Sequence, residues 1–206
     1  MGGRSGGSVR GGLQPGDFKK KKTDIKNAED LKNIKDRVVY NEMKSAISRF
    51  YKYFGIPERK IKLADMPDST YGVTVMVGGK TEGVYLQKKL FKNKTKAEIE
   101  AVKKKGYKSG WATKTNKPIA HTITHELAHT VWNDSLTSVK HQAAGKEITK
   151  VYHTWLKDKK KSGYGDYAKT NVSEFFAETI TKGIHGKADK YTKALTDIVK
   201  KHKLNK

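Results

Sequence analysis

The stretch His121-Thr-Ile-Thr-His125-Glu126-Leu-Ala-His129, opening just after Pro118, constrains this chain more than any other. Pro118 suits the first turn of a helix, where its missing N–H costs nothing. Along such a helix His121, His125, His129 and Trp132 fall on one side, while Ile119, Ala120, Ile123, Leu127 and Val131 spread over the other. Neither side suits solvent, so the pattern predicts a helix buried on two faces around which the remaining elements pack. His125 and His129, one turn apart, stand with Cβ atoms roughly 5–6 Å apart and can share one metal ion. Glu126, one residue on from the first histidine, is placed to take a proton from water on that metal.

A zinc site of this kind needs a third protein ligand and one position open to water. The chain has no cysteine, which removes thiolate ligands, disulfides and a cysteine nucleophile together, so the ligand must be His, Asp or Glu. A metzincin would carry Gly at 132 and His at 135; Trp132 and Ser135 exclude that class. The best remaining donor is Glu174, in Asn171-Val-Ser-Glu174-Phe-Phe-Ala-Glu178-Thr-Ile. There Glu174 and Glu178 share a helix face, with Val172, Phe176 and Ile180 opposite. Two carboxylates on an otherwise buried helix are costly without a metal or a partner. The competing role for Glu174 is a capping box with Asn171, three residues before it; for Glu178 it is an ordinary exposed acid. With Glu174 as ligand, Glu178 is expected to accept the other ring N–H of a ligand histidine and fix its tautomer.

The remaining elements are read from period and punctuation. Residues 1–23, Gly-, Ser- and Lys-rich, read as a flexible tail, and 24–206 as a single domain with a helix-and-sheet part (24–116) and a metal-binding helical part (117–206). A helical pattern with a break runs from Asp24 to Phe54, with Val39, Met43, Ile47, Phe50 and Phe54 at core spacing, and Gly55 and Pro57 stop it. Ile61–Leu63, Tyr71–Val77 and Thr81–Gln87 alternate as strands, with Gly78-Gly79 suiting a hairpin. Strand Gly83–Leu86 is a candidate sheet edge for pairing with an extended substrate; the competing reading is an ordinary core strand. Thr95 caps a helix from Lys96 to Lys105, Trp111–Lys114 reads as a short strand, and further helices are expected over 136–158, 171–184 and 188–202. His121 is expected to line a pocket or pack, because a third ligand from one helix would crowd the metal. His141, His153, His185 and His202 read as surface or packing residues.

The segment Tyr167-Ala-Lys-Thr-Asn171-Val-Ser-Glu174-Phe-Phe-Ala-Glu178, following HELAH at 125–129, resembles the catalytic domain of anthrax lethal factor and related gluzincins, including the Pro-Pro endopeptidases. The resemblance covers roughly residues 110–185. It implies an α+β zincin-like fold, with a small twisted sheet, a HExxH helix and a mostly helical C-terminal half, and a zinc-dependent endopeptidase activity on a peptide or protein substrate. It also implies one Zn2+ ion on His125, His129 and Glu174, with Glu126 as general base and Tyr167 stabilising the oxyanion. Tyr164, on the same loop, is the other phenol to consider.

Forty-four basic residues against twenty-one acidic ones give a net charge of +23. Such a field attracts an anionic partner, nucleic acid or an acidic protein surface, under any fold. The alternative to an enzyme is therefore a basic nucleic-acid- or virion-associated module whose zincin fold is structural or vestigial. No stretch has the length and apolarity of a membrane span, and Met1 is followed by Gly and Arg with no apolar run. The sequence thus reads as soluble, cytoplasmic or phage-associated in preference to secreted.

Overall fold

The computed structural model describes residues 27–136, 138–160 and 163–204; the expected tail, 1–23, lies outside them. A single 3-10 turn at Glu29–Asn33 leads to α1, Arg37–Phe54. Asp36 starts α1 by accepting hydrogen bonds from the amides of Val38 (2.7 Å) and Val39 (3.3 Å). Gly55, in the left-handed region at φ 61°, ends it. The expected stripe of Val39, Met43, Ile47, Phe50 and Phe54 is fully buried.

Three strands follow: β1 (Lys60–Ala64), β2 (Gly72–Val77) and β3 (Lys80–Gln87). Gly78 and Gly79 both take positive φ, as a two-residue hairpin requires, and join β2 to β3 antiparallel. The order is β1-β3-β2, with β1 parallel to β3. Strand β3, holding Gly83–Leu86, is therefore central, and of the two readings of that strand the core one holds. Val84 and Leu86 are buried, and the edge strand beside the histidine helix is β2.

A single helical turn, α2 (Lys88–Phe91), precedes α3, Lys96–Lys108, which Thr95 and Glu98 cap reciprocally. Trp111–Lys114 forms no strand. Its neighbourhood is instead tied to a later loop, Asp166 N donating to Gly110 O (2.9 Å) and Tyr167 N to Trp111 O (3.0 Å). The histidine helix is α4, Pro118–Val131, with Pro118 at its first turn. It packs against α1, α3, α6 and the sheet, so both of its sides are covered as its two-sided pattern demands.

The expected helix over 136–158 is shorter. A π-helical turn at Trp132–Leu136 and a 3-10 turn at Val139–His141 precede α5, Gln142–Lys157, which buries Ala144, Ile148, Tyr152 and Trp155. Helices α6 (Val172–His185) and α7 (Lys190–Lys201) complete an α+β fold of seven helices and one small mixed sheet among the described residues. Its core is a single cluster reaching from Ala28 to Leu204. No helix among the described residues is long and apolar enough to cross a membrane.

Candidate metal centre

Helices α4 and α6 lie against each other, and their polar rows meet. Glu174 Oε2 sits 3.0 Å from His125 Nε2 and 3.2 Å from His129 Nε2, and the two imidazole nitrogens are 3.1 Å apart. Three donors about 2.0–2.1 Å from a zinc ion in a tetrahedral array stand roughly 3.3 Å apart, so the trio has the spacing of a metal's ligand set. Glu174 Oε2 is buried and receives no hydrogen bond of good geometry, the condition of an oxygen waiting for a cation. The residue types suit zinc, which takes imidazole and carboxylate ligands.

The surroundings prepare both imidazoles. Glu178, only 4% exposed, puts Oε1 3.0 Å from His125 Nδ1, within ion-pair reach though off the line of an ideal hydrogen bond. A carboxylate on that side favours the proton at Nδ1 and leaves the Nε2 lone pair towards the centre. Ser173 Oγ lies 3.0 Å from His129 Nδ1, where the hydroxyl can accept the same ring proton on the second imidazole. Burial works to raise the Glu178 pKa, but His121 and His125 outweigh it and hold the carboxyl well below its usual range. Burial likewise opposes ionisation of Glu174, but the His125 and His129 imidazoles, 3.0 and 3.2 Å away, bring its pKa down to about 2. His125 feels burial in the other direction, yet Glu174 and Glu178 raise it to about 10. The buried carboxylates thus favour positive charge at the centre, which a second proton on His125 supplies in the absence of a metal and which a cation at Nε2 would replace.

The competing roles for the two acids are resolved by geometry. Asn171 does cap α6, its side chain accepting from Glu174 N at 2.9 Å, but the Glu174 carboxylate turns to the histidines instead of back to Asn171. Glu178 is buried between His121 and His125, no exposed acid.

Glu126, 8% exposed, lines a cleft of about 400 Å3 together with His125, Tyr167, Lys103 and Gly72. Thr74 on β2 donates to the Glu126 carbonyl oxygen at 2.7 Å and places its hydroxyl 3.1 Å from Oε2. Gly72 is the close approach: a Cβ there would stand 2.7 Å from Glu126 Cγ. A glycine inside a strand pattern is a sequence signal for such contacts. Gly72, Thr74 and Ser173 are the residues that reading motifs alone misses.

Tyr167 comes to the centre on a 3-10 turn, Asp166–Lys169, with its ring 5.8 Å from that of His125 and 5.5 Å from that of Trp111 at the cleft mouth. Burial first, then the neighbouring Glu174 carboxylate, pushes its phenol well above the usual value, so it stays a hydrogen-bond donor. Tyr164 is elsewhere. It packs on Trp155 and Phe175 under the Lys182 ammonium, and its hydroxyl reaches Asp189 at 3.4 Å. His121 lines the cleft with Nε2 3.3 Å from Glu178 Oε2, as its place on α4 implies. Of the other histidines, His185 is buried with Nε2 2.7 Å from Thr124 Oγ1, and His202 meets Glu147 at 3.1 Å. No protein family, curated protein or solved structure matches this chain.

Proposed function

We propose that this chain is a zinc-dependent endopeptidase of gluzincin type. The observation that carries the reading is the meeting of His125 Nε2, His129 Nε2 and Glu174 Oε2 beside a cleft into which Glu126 opens. His125, His129 and Glu174 would hold one Zn2+ ion. When bound, such an ion lowers the pKa of a water towards about 7 and polarises a carbonyl group.

The protein's own groups divide the remaining work. Glu126, positioned by Thr74 and Gly72, takes the proton from the attacking water and delivers it to the leaving nitrogen. Tyr167 donates its phenolic proton in a hydrogen bond to the oxygen that becomes negative, a contact worth about 3–4 kcal/mol where a single such donor is removed. Strand β2 has no strand on its outer side among the described residues. Its free backbone groups can pair with an extended peptide and hold it across the cleft.

The other reading, a basic nucleic-acid- or virion-associated module with a vestigial site, is supported by net charge alone. A vestigial site has no use for a general base held in place by strand β2. Glu126→Gln separates the two: it should keep zinc while hydrolysis of a peptide library falls by at least about 10²–10⁴-fold. A wild-type protein that binds zinc and cleaves no peptide in the library would favour the module.

A further inference from the structure

A neighbouring cavity adjoins the cleft at His121. Its volume is about 740 Å3, and Thr113 and His121 line both. Its size falls within the roughly 300–1,000 Å3 typical of ligand sites. Its charge is one-sided: lysines 114, 117, 160, 182, 187 and 190 line it against two acids, Asp158 and Asp189. Those acids are already engaged, Asp189 with Lys182 at 2.7 Å and Asp158 with Lys190 at 2.7 Å. Lys114, Lys117, Lys160 and Lys187 are exposed and make no ion pair with any described residue. Four like charges around one cavity repel one another, and an anion there relieves that repulsion.

We infer that this basin is the specificity site of the proposed peptidase, and that its substrate is a peptide carrying two or more carboxylates on the side of the scissile bond that passes His121. This rests on the proposed function. Thr113 and His121, which line both, put the basin next to the cleft, within reach of the residues that flank a peptide bound there. A single-stranded nucleic acid is a poorer fit, because such strands are held by exposed aromatic faces interleaved with cations. Among the described residues the one Phe, Tyr or Trp lining the basin is Tyr191, which is buried with its hydroxyl on Asp158.

The test has two arms, both on the full chain. In the first, zinc-loaded protein is given matched peptide libraries that differ only in Asp and Glu against Asn and Gln on one side of the cleavage position. The acidic set should be cut with kcat/KM at least about tenfold higher, and the triple variant Lys114→Glu, Lys117→Glu, Lys187→Glu should abolish or reverse the ratio without changing zinc content or cleavage of the neutral set. Equal rates for the two sets in the wild type overturn the inference and leave the peptidase standing. In the second arm, fluorescence anisotropy follows a labelled Glu-rich peptide binding to Glu126→Gln. Its affinity should drop about tenfold or more when the three lysine changes are added. Unchanged affinity overturns the basin's role even if no peptide is ever cleaved. Tighter binding of an oligonucleotide of equal charge, lost in the same variant, assigns the basin to nucleic acid instead.

Discussion

Gly72 and Glu126 come from different elements, yet the position of the proposed general base depends on the missing side chain. Gly72→Ala brings a methyl group within 2.7 Å of Glu126 Cγ and must push the carboxylate aside. A displacement of about 1 Å in a reacting group can cost about 10²-fold, so kcat/KM is expected to fall by roughly 10–100-fold. Zinc content should not change, which a paired peptide assay and elemental analysis would show. His185 gives a pH test. Burial, helped by the charge of His121, Lys117 and Arg49, lowers its pKa from 6.5 to about 3. Between those values the unfolded chain binds a proton that the folded chain refuses. Stability therefore rises with pH across this window and is lost as pH falls through it. Denaturant midpoints at roughly pH 7 and pH 4 should differ less in His185→Gln than in the wild type. At this scale the sequence was readable where chemistry is local. His125, Glu126 and His129 share one turn of helix, and Glu174 and Glu178 share one face of another. Gly72 and Ser173 were not readable, because what each touches is decided by how separate elements approach.

Strand order shows why elements were easier to find than to arrange. Alternation located all three strands, and the glycine pair located the hairpin. A period of two marks which residues share a face and is silent on which strand lies between the others. The parallel pairing of β1 to β3 is what places β2 at the edge, against Glu126. Trp111–Lys114 has the alternation of a strand but finds no sheet partner; its neighbourhood bonds instead to the turn that carries Tyr167. Gly165 makes that docking close. A Cβ there would fall on the backbone at Trp111 O and Ala112 C, atoms that cannot rotate away. Gly165→Ala is expected to cost about 1–3 kcal/mol, as overpacking does. Because the same turn delivers Tyr167, kcat should also fall, with metal affinity kept; chemical denaturation and steady-state kinetics read the two effects separately.

For the molecule as a whole, the centre joins parts of the chain that are far apart in sequence. The candidate ligands come from α4 and α6, the proposed base, Glu126, is held by β2, and the Tyr167 phenol arrives on the turn before α6. The charge of +23 is then not a uniform background, since part of it is gathered in the basin beside the cleft. All of this depends on one ion being held by His125, His129 and Glu174. The most direct measurement is zinc per chain, by elemental analysis after dialysis against buffer containing a trace of zinc. One ion per chain is expected for the wild type and for Glu126→Gln, with loss from the folded double variant His125→Ala, His129→Ala. A wild-type protein without stoichiometric zinc, or a double variant that retains it, would contradict the assignment.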